Sequence, residues 1–331
     1  MKLIRPAALA AAACTALALS ACGSDGGSGN GSDGGSSGDS TSAEGKTVCY
    51  VTAAASHPYV TPAKEAMAAT AKEAGVEEIV LSQEFDAQKG TDQLNTCIGR
   101  QVDGIVLWPL DPEAYLSGLA KAKAADIPVV LINSPMAEEA NQFIASFTGP
   151  DVVDEGKLSA QAMDEALGGE GGVVIIAGQA GNGTTEGRTN GFNDELEALD
   201  SGIEVLATVN ADFDQQKALV ASRDLITRFG DQIDGVYAND DTMARGFIDA
   251  NKESGNKIEP VIVGINGQKD AFASIKSGEM TATIVQSPIA DGKLAMETIV
   301  KAMAGETVEQ RIPIELTVVT KENVGDVEPA M

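Results

Sequence analysis

The sequence predicts an α/β protein of two doubly wound lobes, each a parallel sheet with helices on both faces. Three observations predict it. From Thr47 onward, short β-branched runs alternate with Ala-rich windows of helical length. The strand-like runs are nearly continuous in apolar residues, as expected of parallel strands buried on both faces. Eleven such runs exceed one small sheet, and a chain of 331 residues suits two domains of about 100–200 residues each.

Taken in order, Thr47–Thr52 is a β-branched strand and Thr61–Ala74 an Ala-rich helix. Glu78–Leu81 is the second strand, followed by the helix Ala87–Arg100. Gly104–Trp108 leads to the helix Glu113–Ala125, and the apolar runs Pro128–Ile132 and Phe143–Ser146 complete a first set. The second set repeats the rhythm. The helix Val152–Leu167 precedes the strand Gly172–Ile176, and Thr185–Leu199 precedes Ile203–Thr208. Gln215–Phe229 precedes Gly235–Ala238, Met243–Asn251 precedes Val261–Gly264, and Lys269–Ser277 precedes Ala282–Val285. Ile289–Ala304 is a last helix and Glu315–Val319 a last strand.

Composition excludes several functions. Acidic side chains outnumber basic ones 49 to 23, with one His, for a net charge of -26. Polyphosphate partners need clustered Lys and Arg, so no nucleic-acid partner is expected. Docking on anionic lipid head groups is disfavoured for the same reason. A single His leaves no His-rich metal site and removes most His-dependent triads, so neither metal nor other cofactor is expected.

The first 22 residues read as an address. Lys2 and Arg5 precede the apolar run Pro6–Leu19, whose 14 residues fall short of the roughly 20 that span a bilayer. This is the layout of a secretory signal. Leu19-Ser20-Ala21-Cys22 resembles the lipobox of bacterial lipoproteins, which implies lipidation at Cys22. Residues 23–45 hold nine Gly and seven Ser, a flexible tether of about 25–30 Å root-mean-square length. In the body, a doubly wound sheet folds the helix after the second strand back over the first. That brings Cys97 toward Cys49, and in an oxidising compartment a disulfide is expected, two buried free thiols being the alternative.

Ligands of open α/β sheets sit beyond the carboxyl ends of the strands. Those positions hold Ser56-His57-Pro58-Tyr59, Trp108, Asp111, Asn133, a Gly-rich loop leading to Arg188, and Asp212-Phe213-Asp214. Asn239-Asp240-Asp241, Asn266 and Gln286 complete the set. Asn, Asp, Gln, Arg and aromatic residues hydrogen-bond hydroxyl groups and stack on the apolar face of a sugar or polyol. The loop Gly178–Gly183 has no Lys, so it is no phosphate loop. His57 has no Ser or Cys partner identifiable by sequence, and a polar contact to ligand is the better reading than catalysis. Trp108 suits a stacking platform and a rim or core position equally. Asp240 and Asp241 begin a helix, where N-capping explains at least one of them.

The chain resembles the ribose-binding-like, type 1 periplasmic binding proteins of ABC importers. The resemblance rests on Val102–Val106, Ile127–Ile132, Gly187-Arg188-Thr189-Asn190-Gly191-Phe192, Ala211–Asp214, Tyr237–Ala244 and Ala282–Gln286, in the family's order. It implies two lobes joined by a three-crossing hinge that closes on ligand. The first lobe would hold residues 46–147 and 286–312, and the second 148–285 and 313–331. It also implies ligand contacts from Tyr59, Arg188, Phe213, Asn239 and Gln286. Five residues at four places depart from the family pattern. His57 replaces an Asn, Val60 a Phe, Asn133-Ser134 an Asp-Arg pair, and Asn266 an Asp. Those carboxylates grip vicinal hydroxyls in pentose binders, so their loss argues against ribose. Another sugar, a linear polyol or a sugar acid fits. Arg188 lacks the family carboxylates that would offset its charge, which favours an acidic or electron-rich ligand. An open cleft would leave Arg188 and Phe213 hydrated, so neither is expected to hold the ligand-free fold together. The function implied is that of a monomeric, extracytoplasmic, lipid-anchored binding protein, not an enzyme. It would deliver a sugar-like solute to an ABC permease and ATPase, the alternative being a ligand-sensing subunit for a membrane kinase or chemoreceptor.

Overall fold

The computed structural model describes residues 42–331. The expected signal, the lipidation site Cys22 and nearly all of the tether lie outside the described residues. Five strands come first: β1 (Thr47–Thr52), β2 (Glu77–Ser82), β3 (Gly104–Leu107), β4 (Val129–Ile132) and β5 (Ser146–Gly149). Next come β6 (Glu170–Ala177), β7 (Gly202–Asn210), β8 (Gly235–Ala238), β9 (Val261–Asn266) and β10 (Ala282–Gln286). Two short strands, β11 (Arg311–Pro313) and β12 (Leu316–Thr320), follow. The helices are α1 (Val60–Glu73), α2 (Ala87–Gly99), α3 (Leu116–Ala124), α4 (Val152–Leu167) and α5 (Gly183–Ala198). They continue with α6 (Gln215–Phe229), α7 (Asp241–Glu253), α8 (Lys269–Ser277) and α9 (Pro288–Met303).

The strands form two six-stranded sheets, ordered β11-β5-β4-β3-β1-β2 and β12-β10-β9-β8-β6-β7. The two orders repeat each other: β6 to β10 occupy the places of β1 to β5. Pairing is parallel except at β12, which runs antiparallel to β10. The chain passes between sheets three times, at residues 149–152, 286–288 and 313–316. After the second passage, α9 packs on α1, β3 and β4 of the first sheet.

Local chemistry accounts for the boundaries. Asp86, Asp151, Asn182, Asp214, Asp240 and Ser287 cap α2, α4, α5, α6, α7 and α9 by accepting first-turn N–H groups. The strand expected at Phe143–Ser146 lies three residues later. Phe143 instead ends a 3-10 turn over Glu138–Gln142, and Ile144 packs into the first core. An apolar pair thus reads like a strand start while serving the helix layer. β11 is too short for its pattern to register. Ala43 is buried, and Gly45 N–H donates to Gly75 O at 2.8 Å, so the packed body begins just ahead of Lys46. Cys49 on β1 and Cys97 on α2 are bonded, with both residues fully buried.

Candidate functional site

Both sheets direct the carboxyl ends of their parallel strands at one cleft. His57 and Tyr59 lie between β1 and α1, Trp108 follows β3, and Asn133 follows β4. From the other sheet come Arg188 in the second turn of α5, Phe213 between β7 and α6, and Asn239 after β8. Asn266 and Gln286 end β9 and β10.

Eight of the nine expected contacts line one cavity: His57, Tyr59, Trp108, Asn133, Arg188, Phe213, Asn266 and Gln286. Asn239 stands behind it. Its backbone carbonyl accepts from Arg188 Nη1 (2.7 Å) and its Oδ1 accepts from Gly178 N–H (3.1 Å). The cavity encloses about 50 Å³. A water needs about 10–15 Å³ by that measure, so the space suits a molecule replacing a few waters. Its apolar walls are Ala53, Val60, Phe85, Leu110 and the rings of Tyr59, Trp108 and Phe213.

Several polar atoms at the cavity are buried with no partner among the described residues. Tyr59 N–H donates to His57 Nδ1 (3.3 Å), which leaves the proton of the neutral imidazole on Nε2. That Nε2 is buried and unpartnered. Burial, with the nearby Arg188 guanidinium, pushes His57 down to about 4, so it stays neutral near pH 7. Gln286 Nε2 donates to Asn266 Oδ1 (2.7 Å), leaving Gln286 Oε1 unpartnered. Asp240 Oδ1 caps α7 through Met243 N–H (2.8 Å), while its Oδ2 has no partner. Burial pushes Asp240 up to about 6. Asp241 serves structure instead, accepting from Gln268 N–H and the Thr283 hydroxyl.

Arg188 differs from expectation. It is 3% exposed, and its Nε donates to Glu155 Oε2 at 2.7 Å, with Glu155 wholly buried. Two glycines make this pair possible. A Cβ on Gly156 would lie 2.2 Å from Arg188 O, and one on Gly191 would lie 2.2 Å from Val153 O. Their absence lets α4 and α5 nest closely and delivers Glu155 to the guanidinium. The charge of Arg188 is therefore already offset within the lobe, and the argument for an acidic ligand falls. Arg188 is also no hydrated side chain that could be removed at little cost.

Three of the lining residues are also tied into the fold. The Tyr59 hydroxyl turns away from the cavity and donates to Asp291 Oδ2 (3.1 Å). Asn133 Nδ2 donates to the same oxygen at 3.2 Å. Trp108 is both wall and core: it is 7% exposed, and its indole N–H donates to Ser134 Oγ (3.1 Å).

Direct bonds join the lobes around the cavity. Asn182 Nδ2 donates to Leu110 O (2.9 Å), Ser134 Oγ meets Thr184 Oγ1 (2.7 Å), and Gln179 Nε2 donates to Phe85 O (3.3 Å). The rings of Phe85 and Phe213 pair across the cleft at 6.5 Å. Sequence reasoning missed Glu155, Phe85 and Asn182. Only Phe85 carried a signal, because Glu84-Phe85-Asp86 mirrors Asp212-Phe213-Asp214.

Two similar α/β lobes closing on a small cavity, with apolar walls and unpaired hydrogen-bonding atoms, define a solute-binding protein. Residues 48–307 match the periplasmic binding protein domain. The chain is 30% identical to the ribose import binding protein of Bacillus subtilis, over 80% of this chain and 84% of that one. It is 31% identical to a xylitol-binding protein of Mycolicibacterium smegmatis, over 80% of this chain and 75% of that one. In structure it is similar to an ABC transporter solute-binding protein of Bacillus halodurans with bound myo-inositol. That match has a TM-score of 0.80 and 26% identity, covering 87% of this chain and 98% of that one. The chain belongs to the periplasmic binding protein family.

Proposed function

We propose that this protein is the extracytoplasmic binding component of an ABC importer, capturing a neutral sugar or polyol between its lobes for delivery to the permease and ATPase. The observation that carries the proposal is the set of buried, unpartnered atoms at the cavity: His57 Nε2, Asp240 Oδ2 and Gln286 Oε1. Donors and acceptors mixed at close quarters suit hydroxyl groups, which both give and take hydrogen bonds. The Arg188–Glu155 pair argues for a neutral ligand. The relatives named for ribose and xylitol, and the structure holding myo-inositol, support this class of solute.

The test is a thermal-shift screen of sugars, polyols, sugar acids and nucleosides. A ligand at about 100 times its Kd adds about 2.7 kcal/mol to the folded state. Neutral sugars or polyols should raise the melting temperature; a response confined to sugar acids or nucleosides would refute the proposal. We further propose attachment to the membrane through lipid on Cys22, with the protein acting as a monomer. Among the described residues no helix is long and apolar enough to cross a membrane. Cys22→Ser should release the protein from the membrane fraction, and retention after a salt wash would refute the anchor.

A further inference from the structure

Each lobe carries the same short device at the mouth of the cleft. In one, β2 runs through Glu84-Phe85-Asp86 into α2; in the other, β7 runs through Asp212-Phe213-Asp214 into α6. Both Phe residues and the acidic residue before each hold left-handed backbone: φ is 55° at Glu84, 57° at Phe85, 53° at Asp212 and 58° at Phe213. That conformation is unfavourable for bulky side chains and persists where the surroundings fix it. Backbone bonds close the turn in each lobe, from Asp86 N–H to Gln83 O (3.2 Å) and from Asp214 N–H to Ala211 O (2.9 Å), and the same Asp side chains cap the helices that follow. Asp86 accepts from Lys89 N–H at 3.0 Å, and Asp214 accepts from Lys217 N–H at 2.8 Å.

The two turns aim the rings at each other, with planes 28° apart and centroids 6.5 Å apart. His57 stands edge-on to Phe85 at 5.6 Å. These three side chains line the inner cavity and also an open groove outside it, which is otherwise largely polar and charged. They are the partition between the two spaces. Phe213 packs closely against its own lobe, where a Cβ on Gly178 would lie 2.1 Å from its Cζ. Phe85 closes the inner space from the side of the other lobe, against whose core it packs.

We infer that Phe85 is a specificity-determining residue that caps the cavity and restricts the ligand to one ring, or to an open chain of similar size. Glycosylated forms of the same solute are excluded because their second ring would have to occupy the plane of the Phe85–Phe213 pair. This inference rests on the sugar or polyol reading of the cleft.

The test is calorimetry on the full chain with D-ribose, xylitol and myo-inositol, each paired with a glycosylated form of itself. Wild type should bind at least one of the three about 100-fold or more tighter than its glycosylated form. Phe85→Ala should narrow that ratio by about tenfold or more, and Phe85→Leu should give an intermediate ratio, as expected when discrimination comes from exclusion. Ligand-free melting curves confirm that both variants are folded. Wild type binding single and glycosylated forms equally, or a ratio unchanged in Phe85→Ala, would overturn the role of Phe85 and leave the solute class standing. Failure of wild type and variants to bind any of the six would reject ribose, xylitol and myo-inositol as solutes and, with them, a cavity that Phe85 sizes for one such ring or chain, while the wider class of neutral sugars and polyols is decided by the melting screen.

Discussion

Arg188→Ala should destabilise the ligand-free protein as well as weaken binding. The substitution removes the partner of a carboxylate that is fully buried. Glu155 Oε1 already lacks a partner among the described residues, and Oε2 would lose its 2.7 Å bond. Breaking a buried pair from one side costs about 3–5 kcal/mol. At about 2–4 °C per kcal/mol for a chain of this class, the ligand-free melting temperature should fall by about 6–20 °C. The deficit should depend on pH. Burial raises the Glu155 carboxyl, and Arg188 opposes that rise. Without Arg188 the folded-state pKa climbs further above its unfolded value. A raised carboxyl favours the fold at low pH and loses that contribution as pH rises through the folded value. The variant should therefore lie closer to wild type at pH 5 than at pH 8. Replacing both members with apolar residues of similar volume, as in Glu155→Leu with Arg188→Met, should recover most of the stability, because no buried charge is left unpaired. Binding should not recover. Losing a charged hydrogen bond to ligand costs about 1.5–3 kcal/mol, roughly 10- to 150-fold in affinity. Circular dichroism melts of wild type, Arg188→Ala, Glu155→Leu, Arg188→Met and the double variant, with calorimetry, provide the measurement. An unchanged ligand-free melting temperature in Arg188→Ala, or strictly additive losses in the double variant, would refute the coupling.

Replacing both Cys49 and Cys97 with Ala should lower the urea midpoint: closing a loop of 48 residues contributes about 4 kcal/mol by chain entropy. A midpoint unchanged from the oxidised wild type would mean that the bond does not form. Asn182→Asp keeps the acceptor that caps α5 but removes the donor to Leu110 O. It should leave the ligand-free melt near wild type and weaken ligand binding by about 5- to 150-fold, because closure would bury a carboxylate oxygen against the Leu110 carbonyl with no donor between them; a fall in the melt with intact binding would contradict that division. Ligand affinity should fall below about pH 6, where Asp240 takes up a proton. His57 contributes no step near its ordinary value of 6.5, because burial holds it near 4. Asp240→Asn preserves the helix cap and should remove that part of the slope, as read by calorimetry from pH 8 to pH 5; a slope of equal size in the variant would exclude Asp240.

The doubly wound lobes were legible because parallel strands buried on both faces must be apolar throughout, and Val130, Leu131, Val174 and Ile175 show that pattern without interruption. What the pattern could not carry was the helix layer's share of apolar residues, which displaced β5, and the three-residue strand β11. The strand ends pointed to the cleft for a geometric reason: parallel strands deliver their carboxyl termini to one edge. Tertiary packing decided the rest. Glu155 lies within a helix whose neighbouring positions include exposed acids, and nothing in its spacing separates it from Asp154. It becomes a buried counter-ion only because Gly156 and Gly191 let two helices touch. Tyr59 was legible as a cleft residue, but the direction of its hydroxyl depended on Asp291, 232 positions away.

The same atoms that suggest the ligand also explain why closure should depend on it. In a closed cleft holding no ligand, His57 Nε2, Asp240 Oδ2 and Gln286 Oε1 are cut off from bulk water and have no protein partner among the described residues. Each such atom costs about 1–3 kcal/mol. Three bonds join the lobes at Asn182, Ser134 and Gln179. Each contributes about 0.5–1.5 kcal/mol net, and the Phe85–Phe213 contact adds to them, so latch and cost are of similar size. Opening the lobes rehydrates the stranded atoms and gives up the latch, so each stranded atom biases the empty protein toward opening. A polyhydroxylated ligand reverses that bias by pairing those atoms without disturbing the latch, and only such a difference in affinity between forms can shift the population. Apolar residues at these positions would remove that bias, and closure would depend less on whether a ligand is present.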